Sequence, residues 1–502
     1  MRFLLILMLC SGIGARAAAQ QVPAPKRELR AVWIATVGNI DWPSKQGLSA
    51  QQQQQEFINH LNYLQSHGFN AAIVQVRPAA DALYPSPYEP WSRYLSGKQG
   101  QPPFPKYDPL EFMVRECHRR NMELHAWFNP YRALVASNAN PNPADHATKV
   151  HPEWIIHYGG KSYFDPGNPE AREYILKVIL DVVERYDIDA VHIDDYFYPY
   201  PVAGKPFPDA ATYKKYATGQ ALDDWRRDNV NMFVSQLNAN IKHKKNWVKF
   251  GVSPFGIWRN SNKDPEGSAT RGASCYDDLY SDVRLWIDKK WLDYVAPQLY
   301  WERGHRVAAY DILLPWWKEH SGNRQLYIGL GVYRMVDAKG LPWNNAQELL
   351  QEIDDARKLD VDGLVFYSMS SFYKIGNELG DKLQQQYFGT IAIPPATPWP
   401  GHAKPTPPKL MIGAKNNSNW LIWNHENAPQ PPQEKYLVYR FEGNEKINLD
   451  DATKILALTQ EQKFSDNETV AGKHYRYAVT AVDRLWNESD MSNVVEAGTP
   501  EN

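Results

Sequence analysis

The sequence predicts an α/β barrel followed by a small all-β domain, on the strength of three observations. Short apolar, β-branched runs recur eight times between Leu29 and Gly389, and each is followed by a helical pattern. Joins from helix to strand are short, whereas joins from strand to helix are long, as from Arg77 to Tyr107. After Gly389 a proline-rich segment leads into period-2 strands. A (β/α)8 (TIM) barrel with a C-terminal sandwich accounts for all three.

The barrel is predicted to span residues 27–389. Its eight strands are expected to begin at Leu29, Asn70, Met122, Asp189, Val248, Asp293, Leu326 and Gly363. The first helical pattern, at residues 56–68, keeps its apolar residues on one face and ends at Gly68. A later helix is expected to have Asn168 as its N-terminal cap and Pro169 in its first position.

The two ends of the chain are predicted to lie outside this barrel. Residues 1–19 combine Arg2, an apolar run and a final small-residue Ala triplet, which indicates a secretory signal peptide. Leu9 before Cys10 argues against lipoprotein processing. Residues 390–406 are expected to form a Pro-rich linker, and residues 407–497 resemble a fibronectin type III sandwich. We therefore expect a secreted or periplasmic protein whose C-terminal module could dock to the cell wall or surface.

Composition excludes several classes of partner. The formal net charge is −2, with 43% hydrophobic and 22% charged residues, and there is no Lys/Arg block to attract nucleic acid or an anionic membrane. The N-terminal apolar run is too short to give stable membrane insertion. After signal cleavage only Cys117 and Cys275 remain, and we expect both to be packing residues rather than a disulfide.

Alternation along four predicted strands sends polar side chains toward the barrel axis. On each strand the apolar set should face the helices, so the alternate set faces inward. The inward residues are Gln75 and Arg77 on the second strand, His125, Trp127 and Asn129 on the third, His192 and Asp194 on the fourth, and Gln298, Tyr300 and Glu302 on the sixth. Because unpaired buried polar groups are costly, this convergence favours a functional site over a satisfied polar core.

Two carboxyl groups across a cleft are the minimum equipment for cleaving a glycosidic bond. Asp194 is expected to be the nucleophile or electrostatic stabiliser, with Arg77 keeping it ionised. Glu302 is the first choice for the acid/base. Asp195 competes for that role, and its alternative is a loop carboxylate that caps or pairs with a neighbour. Retention of configuration is expected because Asp194 ends a rigid strand, and no metal or other cofactor is expected.

Polar and aromatic residues near these carboxyl groups are expected to bind the sugar. His125 and Asn129 would hold hydroxyl groups, and aromatic rings would stack on the C–H faces of sugar rings. The candidate stacking residues are Trp33, Trp91, Trp127, Tyr196, Tyr198, Tyr300 and Trp301.

Six motifs carry a resemblance to a known family. They are "ELRAVWIATVGNIDWPS", "VQVRPAADALYPSPYEPWSRYLSG", "HAWFNPYR", "VHIDDYFYPYP", "GVSPFGIWRN" and "APQLYW". Together they resemble the glycosyl-hydrolase-like family ten, a (β/α)8-barrel family of secreted bacterial proteins, over about Arg27 to Gly389. The resemblance implies glycoside hydrolysis, with bacterial cell-wall glycan strands as the substrate class.

Asp194 and Asp195 match the family's strand-four motif, whereas the assignment of Glu302 does not follow from the resemblance. The full substrate-binding set that we predict is Asp41, Arg77, Asp81, His125, Trp127, Asn129, His192, Tyr196, Ser253, Gln298, Tyr300 and Trp301.

Two other functions stay open at this point. A non-catalytic carbohydrate-binding barrel would keep the aromatic cleft but need no acid/base pair. A metal-dependent sugar deacetylase would use His125, His192, Asp194 and Asp195, although the sequence has no HExxH motif, Cys pair or His-x-His spacing to support it.

Overall fold

The computed structural model describes residues 24–135, 142–337, 342–399, 401, 403–415, 418–425 and 435–498. The predicted signal peptide, residues 1–19, lies outside this part of the chain. Within the described ranges, no helix has the length and apolar character needed to cross a membrane.

Eight parallel strands within the described residues close into a barrel, which confirms the predicted fold class. In chain order the strands are β1 (Leu29–Ile34), β2 (Ala71–Arg77), β3 (Glu123–Phe128), β4 (Arg132–Leu134), β5 (Ile155–Tyr158), β6 (Lys161–Phe164), β7 (Ala190–Ile193), β8 (Lys249–Val252), β9 (Tyr294–Val295), β10 (Gln325–Leu330), β11 (Gly363–Phe366), β12 (Lys409–Lys415), β13 (Ser418–Asn424), β14 (Lys435–Glu442), β15 (Ile455–Thr459), β16 (Lys463–Asp466), β17 (His474–Val482) and β18 (Val495–Gly498). The barrel order is β1-β2-β3-β7-β8-β9-β10-β11, and β11 pairs with β1.

Helices follow the barrel strands and cover their outer face. They are α1 (Ala50–Ser66), α2 (Arg93–Ser96), α3 (Pro109–His118), α4 (Ala147–Val150), α5 (Pro169–Arg185), α6 (Ala210–Tyr216), α7 (Leu222–Lys244), α8 (Cys275–Asp278), α9 (Val283–Asp288), α10 (Tyr310–His320), α11 (Arg334–Asp337), α12 (Gln347–Lys358), α13 (Met369–Ile375) and α14 (Asn377–Gln386). The Asn168 side chain caps α5 with Pro169 in the first turn, as predicted. Gly68, just after α1, has φ +77°, which suits its predicted role as a C-terminal cap.

Large side chains fill the barrel axis because small residues on neighbouring strands make room for them. A Cβ atom on Gly251 would lie only 2.1 Å from the ring of Tyr294, so this position must be glycine for the ring to occupy the axis. Outside the barrel, Cys117 and Cys275 are both free and buried, which confirms their predicted packing role.

A small antiparallel sheet was not predicted. Strands β4, β6 and β5 pair in that order within the long join between β3 and α5. The strands are only three or four residues long, too short for a period-2 pattern to stand out in a loop. This sheet brings Arg132 to the mouth of the barrel.

The C-terminal region forms a small all-β domain of two antiparallel sheets. One sheet has the order β12-β13-β16 and the other β15-β14-β17-β18. Leu421, Trp423, Tyr436 and Tyr477 pack together in its core. The all-β prediction is confirmed, while the narrower assignment to the fibronectin type III class stays a prediction.

This all-β domain packs against the N-terminal ends of the barrel strands, and its contacts include one buried tryptophan and the ion pairs Lys26–Glu488 and Arg484–Asp187. Asp483 accepts hydrogen bonds from the backbone N–H groups of Leu485 and Asn487, both at 2.8 Å, and so closes a tight turn after β17. Trp486 lies in this turn with φ +62° and is 1% exposed. Its indole N–H donates to the Glu123 carboxylate at 2.6 Å, at the start of β3.

The proline-rich segment also lies on this end of the barrel. The Trp399 indole N–H donates to the Asp293 carboxylate at 2.6 Å, next to β9. The Gln325 side chain, at the start of β10, donates to the Ala396 carbonyl at 2.9 Å. The segment therefore joins the two domains along a packed path over the barrel end.

We predict that Trp486 contributes strongly to the stability of the chain. Trp486→Phe removes the N–H donor to a buried carboxylate and should lower the free energy of unfolding by about 1.5–3 kcal/mol. Trp486→Ala also leaves a cavity and should cost about 3–5 kcal/mol. Urea titration followed by circular dichroism measures both effects.

The matched control is Ile422→Ala, because Ile422 is 49% exposed in the same domain and its truncation should change stability by less than about 0.5 kcal/mol. If the Trp486 variants changed stability as little as this control, the packed interface would be contradicted.

Candidate active site

A cavity of about 390 Å³ opens at the C-terminal ends of the barrel strands. It is lined by Trp33, Trp127, Asp194, Asp195, Tyr196, Tyr200, Ser253, Phe255, Gln298, Tyr300, Trp301, Tyr333, Arg334 and Tyr367. Nine of these fourteen residues are aromatic, and two are adjacent carboxylic acids. A cavity with broad aromatic walls and a few convergent polar groups suits a sugar ring with a reacting bond beside it.

Asp194 follows β7 and points into the barrel mouth, where three N–H groups hold its carboxylate. One oxygen accepts from the Trp127 indole N–H at 3.1 Å and from the Asn129 amide. The other accepts from the backbone N–H of Tyr196 at 3.2 Å. All three partners can only donate at these atoms, so the arrangement favours an ionised carboxylate.

The orientation of the Asn129 amide is fixed by a neighbouring glutamine. The Gln75 side-chain oxygen accepts from the backbone N–H groups of Thr36 at 2.9 Å and Val37 at 2.8 Å. Its amide nitrogen must therefore donate, and it does so to the side-chain oxygen of Asn129. Asn129 is left with its own amide nitrogen directed at Asp194. Gln75 and Asn129 thus act as positioning residues for the carboxylate.

Asp195 lies in a different environment although it is the next residue. The Tyr200 hydroxyl donates to one of its oxygens. The Gln298 amide donates to the other at 3.3 Å and also to the Ser253 carbonyl at 3.0 Å. Asp195 is 4% exposed, and no cation among the described residues forms an ion pair with its carboxyl group. Its carboxyl group therefore has only neutral partners.

Burial and charge separate the two acids. Burial raises the pKa of Asp195 to about 7, and the charge of neighbouring Asp194 adds to the effect. Burial also raises the pKa of Asp194, but the positive charge of Arg132 and the three N–H donors oppose that increase. When one proton is present, it therefore resides on Asp195. The pair therefore combines a carboxylate whose N–H donors favour the ionised form with an acid that is still partly protonated near neutral pH.

The predicted role of Arg77 is wrong. The strand register shifts between Gln75 and Arg77, and the Arg77 guanidinium binds the Glu89 carboxylate on the following loop in a two-pronged ion pair. Its remaining donors bind the carbonyls of Asn129 and Pro130. The cation that acts on Asp194 is instead Arg132, whose guanidinium lies over the Tyr196 ring, 4.6 Å from its centroid.

Glu302 does not lie where an acid/base residue is required. It is absent from the cavity wall, and its carboxylate accepts from the Trp343 indole N–H at 3.3 Å. The prediction extrapolated strand alternation from β9, but β9 ends at Val295. Asp195, the competing candidate, lines the cavity.

Four further predicted substrate-binding residues are buried away from the cavity wall. His125 and His192 lie inside the barrel beneath the cavity, and each is hydrogen-bonded to the Tyr294 hydroxyl. Asp41 accepts from the Ala35 backbone, from the Ser368 hydroxyl and from the Ser370 backbone. Asp81 is buried in the loop after β2, where burial raises its pKa to about 6. None of the four can touch a sugar in this arrangement, and neither can Asn129, which is fully buried, is not part of the cavity wall and uses its amide to bind Asp194 and Gln75.

Many of the predicted residues do meet at one place. Trp127, Asp194, Asp195, Tyr196, Ser253, Gln298, Tyr300 and Trp301 all line the cavity, as does the candidate stacking residue Trp33. Trp91 and Tyr198 do not line it, and Tyr198 packs against Phe207 and Tyr280.

Five cavity residues were not predicted: Tyr200, Phe255, Tyr333, Arg334 and Tyr367. Tyr200 could have been found, because it belongs to the same motif as the two acids. The other four follow the ends of β8, β10 and β11. The loops after the strands of a (β/α)8 barrel carry its active site, and this position was the available signal for these residues.

Comparisons with known proteins identify the family of this chain. A family model described as Glycosyl hydrolase-like 10 matches residues 28–344. Glycosyl hydrolase YngK of Bacillus subtilis strain 168 is 46% identical over 476 residues, which cover 93% of this chain and 92% of that protein. Glycosyl hydrolase DigH of Escherichia coli K12 is 40% identical over 339 residues, which cover 64% of this chain and 76% of that protein.

The glycoside hydrolase domain of PgaB (BpsB) from Bordetella bronchiseptica is a more distant similarity among solved structures. It has a TM-score of 0.45 at 13% identity and covers 72% of this chain and 99% of that domain, which is too weak to support an argument. The family match spans more than half of the chain, and YngK matches nearly all of it. The chain therefore belongs to the glycosyl hydrolase-like 10 family and has a glycosidase type of function.

Proposed function

We propose that this protein hydrolyses glycosidic bonds in a bacterial cell-wall glycan, using Asp194 and Asp195 as its two carboxyl groups. The observation that carries the proposal is the pair itself, a carboxylate held by three N–H donors and a neighbouring acid whose pKa is raised to about 7, both lining an aromatic cavity. Pairs of carboxyl groups whose pKa values are made different by their environments are typical of glycosidases. The substrate class rests on the family, and the nine aromatic residues supply stacking surfaces for its sugar rings.

The two acids have separate roles in this proposal. Asp195 donates its proton to the departing glycosidic oxygen, because its pKa of about 7 leaves it partly protonated at neutral pH. Asp194 stabilises the positive charge that develops on the sugar, or attacks the anomeric carbon directly. Its three N–H donors keep it in one orientation for that purpose.

The alternatives are less favoured by particular contacts. A binding protein gains nothing from a buried acid with a pKa near neutrality, since burying it without a cation is costly. A deacetylase would need free histidine nitrogens, but all four ring nitrogens of His125 and His192 are hydrogen-bonded inside the barrel. Among the described residues, no group of three or more His, Cys, Asp and Glu is placed to hold a metal ion.

The cellular setting is also part of the proposal. The predicted signal peptide supports a secreted or periplasmic location, where wall glycans are accessible. Any contact between the C-terminal domain and the wall must use a surface other than the one around Trp486, because that surface packs on the barrel.

Asp194→Asn should abolish turnover while leaving the fold and glycan binding intact. The substitution removes the charge but little volume, so we expect kcat to fall at least about 10³-fold, equivalent to about 4 kcal/mol in the barrier. Hydrolysis of purified wall glycan strands measures kcat, and calorimetry measures binding. Glu302→Gln is the matched carboxyl-to-amide control and should keep nearly full activity. The assignment fails if Asp194→Asn is active or if Glu302→Gln is as inactive as Asp194→Asn.

The pH dependence should report the protonation of Asp195. Because the acid must be protonated to act, kcat/KM should fall as the pH rises through about 7, approaching tenfold per pH unit. The Tyr200 hydroxyl stabilises the Asp195 carboxylate, so Tyr200→Phe should raise the pKa of Asp195. The fall in kcat/KM should then occur at higher pH. A pH–rate profile of each protein measures the shift.

Asp195→Ala provides the control for this assignment. This variant should no longer show the fall in kcat/KM at high pH. It should still retain activity on an aryl glycoside whose leaving group departs without protonation. If kcat/KM of Asp195→Ala still fell in the same way at high pH, the proton donor would be another residue.

We expect hydrolysis with retention of configuration. Asp194 follows a rigid strand and its carboxylate is held by three N–H donors, which suits a fixed nucleophile that attacks the anomeric carbon directly, and direct attack gives retention. Proton NMR of the first-formed product identifies its anomer before mutarotation. An inverted first product would exclude Asp194 as a nucleophile.

A further inference from the structure

Beneath the cavity, five buried side chains form one continuous chain of hydrogen bonds along the barrel axis. We name Glu123, His125, Tyr294, His192 and Ser253 the axial chain. Each is 2% exposed or less. The chain begins at the N-terminal end of β3, where the C-terminal domain packs, and ends at Ser253 in the cavity wall.

The lower end of the axial chain is a carboxylate that only accepts hydrogen bonds. Lys249 contacts both oxygens of Glu123 at 2.6 Å, and the Trp486 indole donates to one of them at 2.6 Å. Burial alone would raise the pKa of Glu123, but Lys249 and His125 outweigh it and lower the pKa to about 2. His125 Nε2 lies 2.8 Å from this carboxylate and must therefore carry a proton.

The next two bonds follow by elimination. Burial lowers the pKa of His125 and keeps the ring neutral, so Nδ1 has no proton and must accept. The Tyr294 hydroxyl, 3.0 Å away, donates its single proton there. The same oxygen lies 2.9 Å from His192 Nδ1 and can now only accept, so His192 carries its proton on Nδ1.

A separate contact, at the cavity end of the axial chain, gives the same protonation state for His192. The Trp33 indole N–H lies 3.1 Å from His192 Nε2, and an indole can only donate. Nε2 therefore has no proton. The Ser253 hydroxyl lies 3.0 Å from this nitrogen and can bond to it only by donating its own proton, so Nε2 accepts from Ser253 and Trp33 together.

We propose that Ser253 is a specificity-determining residue that accepts a hydrogen bond from a hydroxyl group of the bound sugar. Its only proton points down the axial chain, so the hydroxyl oxygen presents lone pairs to the cavity. The inference rests on the proposed function, because it takes the ligand to be a glycan. Gln298 bonds both to the Ser253 carbonyl and to Asp195, so the recognised sugar group lies beside the proposed proton donor.

The direction of the axial chain can be measured without any substrate. In protein with ¹⁵N-labelled histidine rings, long-range ¹H–¹⁵N NMR distinguishes a protonated ring nitrogen from a bare one. His192 is assigned by its loss in His192→Gln, and His125 by its loss in His125→Gln. We expect His192 to carry its proton on Nδ1 and His125 on Nε2. A proton on His192 Nε2 would overturn the proposal, because Ser253 would then be free to donate into the cavity.

The role of Ser253 is tested with aryl glycosides of N-acetylglucosamine and their monodeoxyfluoro analogues. Fluorine replaces a hydroxyl group without being able to donate. At one ring position the replacement should lower kcat/KM of the wild-type enzyme about tenfold. In Ser253→Ala the same replacement should cause no further loss. Ser253→Thr retains the hydroxyl group and should restore the wild-type pattern.

The possible failures are distinguishable. If every fluorine replacement costs the same in wild-type enzyme and in Ser253→Ala, Ser253 does not accept from the sugar and the inference is wrong. A wild-type enzyme that cleaves neither these glycosides nor wall glycans contradicts the proposed function, and with it the role of Ser253. The histidine NMR result would still decide the direction of the axial chain in that case.

Discussion

The ion pair between Glu123 and Lys249 is the interaction around which the two domains and the barrel interior are organised. The Glu123 carboxylate is buried at the N-terminal end of the barrel and would be strongly destabilising without compensation. Lys249 comes from β8, His125 from β3 and the Trp486 indole from the C-terminal domain. Satisfying one buried charge therefore ties two barrel strands and a second domain to the same point.

Burial of a carboxyl group leads to the opposite protonation behaviour at the other end of the barrel. Glu123 and Asp195 are both buried acids, and burial by itself would raise the pKa of each. Glu123 has a lysine in direct contact, whereas Asp195 has a tyrosine, an amide and the unfavourable charge of Asp194. One acid is therefore held ionised as a structural anchor, while the pKa of the other stays near neutrality. The partners that the fold supplies thus separate a stabilising carboxyl group from the one that we propose as the proton donor.

Sequence alternation predicted which side chains enter the barrel but not how deep they lie. Asp194 and His192 are both directed inward from β7 as predicted, yet only Asp194 lines the cavity, because His192 is two residues nearer the start of the strand. Depth depends on the stagger between strands, which a single strand does not reveal.

The errors have equally local causes. Arg77 lies at a register shift and is bound by Glu89, twelve residues further along the chain, which alternation within the strand could not indicate. Glu302 lies beyond the end of β9, where alternation no longer applies. Arg132 was missed because the short sheet that carries it is embedded in a loop.

The adjacent aspartates after β7 show why a strand end is a good place for such a pair. Within a strand, neighbouring side chains point to opposite faces, so two consecutive acids could not share a cavity. At Ile193 the strand ends, and Asp194 keeps the inward direction of the pleat toward Trp127 and Asn129. Asp195 is released from that alternation and turns to Tyr200 and Gln298. Two identical residues thus reach one cavity in two environments, which is the asymmetry that acid-assisted cleavage of a glycosidic bond requires.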